Sequence, residues 1–108
     1  MNSRAKGKRA ELELAKLLRG YGFEKARRGQ QFSGIEGEDV VGLPMLHIEC
    51  KNVQQLNLRE AMAQSERDAK EDQIPVVMHK KDRKPWLVTI NLEDFIRMYK
   101  YWLKEWSE

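Results

Sequence analysis

Two short apolar segments carry charged residues at positions where a folded chain normally buries side chains. The segments are residues 39–41 and 46–51, and both are rich in the valine, isoleucine and leucine that strands favour. A strand in a globular protein buries at least one face, and burial of an unpaired charge costs several kcal/mol. The carboxylates of Asp39 and Glu49, gathered beside the ammonium of Lys51, therefore need a common purpose, and a divalent cation bound between the carboxylates supplies one.

The composition predicts one globular domain, residues 1–108. Of the 108 residues, 41% are hydrophobic and 34% are charged, and no window approaches the ~18 continuous apolar residues of a membrane span. The basic N-terminal residues are not followed by the apolar core of a signal peptide. Cys50 is the single cysteine, which excludes an intrachain disulfide and a CxxC zinc site. We expect a cytoplasmic protein with no membrane partner.

Positive charge is clustered, although the net charge of +3 is modest. Three groups of basic residues stand out in the sequence: Lys6, Lys8 and Arg9; Lys25, Arg27 and Arg28; and Lys80, Lys81, Arg83 and Lys84. Such groups can neutralise the phosphates of a nucleic acid. The alternative is that they are solvated surface in a highly charged protein.

Periodicity predicts the element order α-β-β-β-α-β-β-α, which is a mixed α/β (α+β) fold with a central mixed sheet flanked by helices. The first helix is expected from about Arg4 to Gly20, and the last after Asn91. Asn57 and Glu60 form a capping-box pattern for a middle helix that should run to about residue 72. The predicted strands are residues 23–27, 39–41, 46–51, 74–80 and 86–90, with a mobile loop over 29–37.

Strand alternation gives the second segment a polar face and an apolar face. His47, Glu49 and Lys51 share one face, and Glu49 and Lys51 lie about 6–7 Å apart along the strand. With Asp39 on the neighbouring strand, the carboxylates are hard oxygen donors that suit Mg²⁺ or Mn²⁺. Such an ion polarises a phosphate and lowers the pKa of bound water. The alternative is an ordinary ion pair between Glu49 and Lys51 on an exposed strand.

Glu11 lies on the predicted core-facing stripe of the first helix, where a carboxylate normally requires a partner. That partner is either a cation shared with Asp39 and Glu49, or else Lys51 or a buried arginine. Gly7, one turn earlier on the same face, would let a nucleic-acid backbone approach closely. It could equally be a frayed start of the helix.

These residues together resemble a known family. Gly7-x3-Glu11, residues 39–42, residues 48–51 and the helix bearing Gln64 are similar to the PD-(D/E)xK nuclease superfamily. The order and compactness resemble the archaeal-type Holliday junction resolvases and small phage-encoded resolvase-like endonucleases, from Gly7 to about Phe95. The resemblance implies a restriction-endonuclease-like fold.

The resemblance also implies roles for individual residues. Its metal ligands would be Asp39, Glu49, the main-chain carbonyl of Cys50 and, through water, Glu11. Lys51 would be the catalytic lysine. Gln64 matches a polar position that often faces the site, although it could be a solvent-exposed helix residue. The implied catalytic set is therefore Glu11, Asp39, Glu49, Lys51 and Gln64.

Several neighbouring residues depart from the family pattern or have open roles. Glu38 stands where the motif name has proline, and Ser33 is the candidate for a loop serine that these resolvases carry. We do not count Glu36 or Glu38 among the metal ligands. His47 either contacts the scissile phosphate or serves as a proton shuttle, or else it is an incidental strand-edge histidine. The candidate DNA-binding residues are Lys6, Gly7, Lys8, Arg9, Arg27, Arg28, Ser33 and Lys80.

The implied function is a divalent-metal-dependent DNA endonuclease, specifically a structure-specific Holliday junction resolvase of DNA recombination and repair. Its cofactor would be Mg²⁺, with Mn²⁺ as a substitute, and its substrate would be branched or four-way DNA. Trp102 and Trp106 exceed what so small a core can hide, which favours a homodimer. The alternatives are a phage or restriction-type nuclease acting on flaps, ends or specific sites, and a non-catalytic nucleic-acid-binding module.

Overall fold

The computed structural model describes residues 3–29 and 38–107 of the chain. Within them lie three helices, α1 (Ser3–Gly20), α2 (Leu58–Asp68) and α3 (Leu92–Ser107), and five strands, β1 (Arg27–Arg28), β2 (Val40–Val41), β3 (Leu46–Asn52), β4 (Ile74–Lys80) and β5 (Leu87–Ile90). The predicted order of elements is confirmed. The predicted loop from 29 to 37, with Ser33 and Glu36, lies outside the described residues except at Gly29.

The five strands form one mixed sheet in the order β1-β2-β3-β4-β5. Neighbouring strands are antiparallel except for β3 and β4, which run parallel from the pair Leu46↔Ile74 to the pair Asn52↔Lys80. Parallel neighbours require a crossover connection, and α2 provides it. The mixed α/β architecture agrees with the expected restriction-endonuclease-like fold.

Helices cover the sheet on both faces. On one face α1 contributes to the main core, whose buried members are Ala10, Leu14, Ala15, Leu18, Ala26, Val40, Ile48, Cys50, Val76 and Met78. On the other face α2 packs Ala61 and Met62 against Val77. Because strand side chains alternate, the odd-numbered residues of β3 point toward the α2 face. The apolar half of β3 thus packs under α1, which leaves its polar half beneath α2.

The boundaries of some elements differ from the predicted ones for local reasons. Residues 23–26 form a turn closed by the bond from the Ala26 N–H to the Phe23 carbonyl (2.9 Å), so the first strand does not begin at Phe23. The cap of α2 is as predicted, since the Asn57 side chain accepts from the Glu60 N–H. This helix ends at Asp68 because Ala69 is extended, with ψ at 141°. The expected end near residue 72 was wrong.

Helix α3 packs little against the rest of the molecule. None of its described residues is buried, although it is strongly amphipathic. Its aromatic residues form a continuous row along one side, in which neighbouring ring centroids lie 5.8–6.1 Å apart: Phe95, Tyr99, Trp102 and Trp106. No helix in the described part of the chain combines the length and apolarity that crossing a membrane requires.

Candidate functional site

Asp39 and Glu49 face each other across the β2–β3 pair. The register Val40↔Ile48 places Asp39 opposite Glu49 on the antiparallel neighbour, and both side chains project on the α2 face. Glu49 is only 1% exposed. The main-chain N–H of Cys50 donates to Asp39 Oδ2 at 2.8 Å and so fixes the orientation of this carboxylate. Two predicted ligands are thus adjacent.

The pKa of Asp39 reports the electrostatics of this pair. Burial raises it from 3.8 to about 7, and the nearby charges of Glu49 and Glu11 act in the same direction, against the lowering effect of the Cys50 N–H. Ionised carboxylates gathered in a half-buried place therefore repel one another. A divalent cation relieves this repulsion, and the donor set is one that such ions accept.

The backbone at Cys50 contributes a further oxygen to the same place. In an antiparallel ladder the N–H and the carbonyl of one residue point to the same neighbouring strand. Since the Cys50 N–H points to Asp39, its carbonyl lies on the Asp39 side as well. The thiol is buried in the core beneath α1, where burial raises its pKa, so it cannot act as a thiolate nucleophile.

Lys51 is the next residue of β3 on the α2 face and is half-buried. Among the described residues it has no carboxylate within 4.0 Å, whereas other lysines of the chain do form such ion pairs. The sequence alternative of a Glu49–Lys51 ion pair is therefore not formed. The ammonium is left free to meet a ligand.

Glu11 has a structural partner. Arg28 Nε donates to its Oε1 at 2.6 Å, and the Glu11 side chain is 16% exposed. Its charge still reaches the site, because it contributes to the raised pKa of Asp39. The arginine considered for this residue was a buried one, whereas the side chain of Arg28 is 42% exposed. The contact with Glu11 engages Arg28, which is also a candidate DNA-binding residue.

His47 is a site residue that the sequence did not assign. It is 1% exposed and is the second residue of β3, the central strand of the sheet. Its Nε2 lies 3.5 Å from Glu49 Oε1 and its Nδ1 lies 3.8 Å from Glu38 Oε1. Although burial lowers it, the pKa of His47 is raised above 6.5 by the carboxylates of Glu49, Glu38 and Asp68.

Asp68, at the C-terminal end of α2, forms a second group of site residues together with His47 and Glu49. Its carboxylate and the ligand atoms of His47 and Glu49 all lie within 4.8 Å of one another. Ser65, one helical turn earlier and fully buried, donates its hydroxyl to the carbonyls of His47 and Val76 and so ties α2 to β3 and β4. The only sequence signal for this group is the alternation that places His47 beside Glu49.

The other predicted site residues are dispersed. Lys80 pairs with Glu13 at 3.1 Å and lies over the Trp86 ring, on the α1 face of the sheet. Lys6 lies 3.6 Å from Asp82, and Arg27 donates to the Arg28 carbonyl. Three more lie on the helices, where Lys8 and Arg9 are exposed and Gln64 is half-buried. A side chain at Gly7 would meet nothing within 4 Å, which leaves the space for an approaching strand that was expected there.

A groove of about 570 Å³ continues from the end of β3. It lies between the segment after β3 and the β4–β5 turn, and its lining includes Val53, Leu56, Lys80, Lys81 and Lys84. The lysines give the groove positive charge, and its position is close to Lys51 along the chain.

The chain matches the model of a known protein family. The model of the family described as "Phage putative PDDEXK endonuclease" matches residues 2–107. No curated protein and no solved structure matches the chain.

Proposed function

Since this chain belongs to the phage PDDEXK endonuclease family, we propose that it is a divalent-metal-dependent endonuclease that cuts branched DNA. The proposed substrate is a four-way junction, the cofactor Mg²⁺, and the active form a homodimer. The observation that carries the proposal is the pair of facing carboxylates, the half-buried Asp39 and the fully buried Glu49, beside the ammonium of Lys51, which has no carboxylate within 4.0 Å in the described residues.

The residues that would hold the ion are Asp39, Glu49 and the Cys50 carbonyl, with Glu11 acting through water. Their fit rests on the raised pKa of Asp39 and on Glu49 Oε2, a buried oxygen with no hydrogen-bond partner. When bound, Mg²⁺ would supply a polarised phosphate and a water of lowered pKa.

The protein's own groups then position the phosphodiester. The Cys50 N–H holds Asp39 in one orientation, so little reorganisation accompanies substrate binding. In the described part of the chain Lys51 has no carboxylate within 4.0 Å, and its ammonium would neutralise the charge that develops on the phosphate during in-line attack. The lysines of the groove after β3 would bind flanking phosphates.

The homodimer is supported by the aromatic row of α3. Trp102 is 53% exposed and Trp106 is 74% exposed, which is unusual for such large apolar side chains. A two-fold interface buries the same patch on both copies. Two sites related by a two-fold axis suit a four-way junction, in which two strands of like polarity are cut at matched positions.

The proposal is tested by a nicking assay with synthetic DNA. A four-way junction, a flap and a linear duplex are compared at equal concentration, with Mg²⁺ and with EDTA. Lys51→Ala should fold normally, retain DNA binding and lose nicking. The matched control is Lys70→Ala, an exposed lysine in the turn after α2, which should cut as the parent does.

Equal cleavage by the parent and by Lys51→Ala would remove the assigned site. Preferential cleavage of the flap or the duplex would retain the nuclease and reject the junction as its substrate. Retained binding with no cleavage of any of these DNAs would favour a non-catalytic nucleic-acid-binding module.

A further inference from the structure

A second group of potential ligands lies beside the carboxylate pair, on the same face of the sheet. It consists of His47 and Glu49 on β3 and Asp68 at the end of α2, with their ligand atoms within 4.8 Å of one another. It is built from both sides: β3 presents two neighbouring odd-numbered residues, and the bonds from Ser65 fix the height of α2 above them. The group shares Glu49 with the site proposed above but otherwise uses different residues.

Unsatisfied buried atoms are concentrated in this group. In the described residues, five buried side-chain atoms have no hydrogen-bond partner. Three of them, His47 Nδ1 and Nε2 and Asp68 Oδ2, belong to this group alone, and a fourth, Glu49 Oε2, lies on the carboxylate that the group shares with the proposed Mg²⁺ site. Leaving a buried polar atom unpaired costs about 1–3 kcal/mol. His47 and Glu49 are each 1% exposed, so bulk water cannot supply the missing partners. The accumulation of such atoms at one place points to a site suited to a bound ligand.

The charge of the group is also unbalanced. Glu38, Glu49 and Asp68 surround one imidazole, and no lysine or arginine in the described residues lies within 4.0 Å of any of the three carboxylates. A proton on His47 would supply a single positive charge against three negative ones. A divalent cation bound to a neutral imidazole supplies two charges and satisfies several of the unpaired atoms at once.

The separation of the ligand atoms fits one ion. Metal–nitrogen and metal–oxygen bonds of about 2.1 Å at a tetrahedral angle place two ligands about 3.4 Å apart. The distance from His47 Nε2 to Glu49 Oε1 is 3.5 Å, which is longer than a good hydrogen bond and close to that value.

We propose that His47, Glu49 and Asp68 bind a first-row transition-metal ion such as Mn²⁺ or Zn²⁺ at a site distinct from the proposed Mg²⁺ site. The imidazole sets the selectivity, because nitrogen ligands suit these metals, whereas Mg²⁺ prefers oxygen and water. The assignment of this site does not rest on the junction-cutting proposal, because its ligands are identified by their burial, charge and separation alone.

The test is pulsed EPR of the metal-free full-length protein loaded with Mn²⁺ and without DNA. A bound imidazole gives the Mn²⁺ signal a coupling to nitrogen, which carboxylates and water do not give. The chain has two histidines, so His79→Gln is the matched control. His79 Nε2 is instead hydrogen-bonded to Thr89 Oγ1 at 2.9 Å.

We expect the nitrogen coupling in the parent and in His79→Gln, and its complete loss in His47→Gln. Absence of the coupling in the parent, or its persistence in His47→Gln, overturns the proposal. Should His47→Gln fail to fold, Asp68→Asn decides the matter. It should weaken Mn²⁺ binding at least about tenfold, since a charged ligand becomes a neutral amide, and unchanged affinity would refute the site.

A competition measurement tests the selectivity. Excess Mg²⁺ should leave the nitrogen coupling in place, while Zn²⁺ should remove it by displacing Mn²⁺. Displacement by Mg²⁺ instead would contradict the assignment of a transition metal. Because the readout needs neither DNA nor cleavage, it can succeed when the nicking assay fails, and the reverse also holds.

Discussion

Replacing Asp39 with asparagine should make the protein more stable above neutral pH. The asparagine keeps an oxygen that accepts from the Cys50 N–H, but it removes one charge from the cluster of carboxylates. In the native protein, burial together with Glu49 and Glu11 raises the pKa of Asp39 from 3.8 to about 7. The native state thus holds this proton more tightly than the unfolded chain does.

The sign of the pH dependence follows from that difference. Below about pH 4 Asp39 is protonated in both states and contributes no penalty. Between about pH 4 and pH 7 the unfolded chain ionises first, so the stability of the parent declines as the pH rises, and above pH 7 the loss is complete. A shift of about three pKa units corresponds to an upper limit of about 4 kcal/mol. Since Asp39 is partly exposed, we expect about 2 kcal/mol after solvent screening.

The assay is urea unfolding followed by circular dichroism in EDTA, at several values between pH 5 and pH 8. Asp39→Asn should gain stability relative to the parent across this range. Asp82→Asn is the matched control, because Asp82 is 57% exposed and pairs only with Lys6 at the surface. Parallel profiles for the parent and Asp39→Asn would refute the reasoning, since they would mean that neither burial nor the neighbouring carboxylates disfavour the charge of Asp39 in the folded protein.

Three further substitutions test other parts of the structure. Gly42→Ala should lower the melting temperature sharply, because Gly42 has φ at +108° and an added Cβ would lie 2.5 Å from backbone atoms. Gly7→Ala is the control, since an added Cβ there would meet no atom within 4 Å, and it should instead stabilise α1 by up to about 1 kcal/mol. Ser65→Ala should cost about 1–2 kcal/mol in urea unfolding, because two buried carbonyls lose their shared donor, and an unchanged midpoint would contradict this. Trp102→Glu should shift a dimer to monomer in analytical ultracentrifugation, whereas Tyr101→Glu, outside the aromatic row, should not; equal effects would exclude the row as the interface.

The sequence predicts the order of elements because hydrophobic periodicity changes clearly along the chain. It does not predict where an element begins or ends when a local hydrogen bond or backbone conformation sets the boundary, as in the turn at residues 23–26 or the extended Ala69. The sequence also does not predict what the amphipathic stripe of α3 packs against. Such a stripe is compatible with a core and with an interface alike, and only the packed structure shows that no described residue of α3 is buried.

The two groups of site residues differ in how much of their arrangement could be predicted from the sequence. The juxtaposition of Asp39 and Glu49 follows from alternation on two consecutive strands and requires no knowledge of packing. The approach of Asp68 to His47 depends on which helical turn of α2 lies above β3, and that height is set by Ser65. A contact between two elements of this kind has no local signature in the sequence.

Helix α3 is peripheral to the folded core, so its sequence can vary more freely than that of the core. Its outward residues support no buried packing, so they can be exchanged with little effect on the remainder of the domain. A lineage could therefore alter the proposed oligomeric contact while conserving the proposed metal site. We expect natural relatives to diverge fastest along residues 92–107 and slowest along residues 46–52.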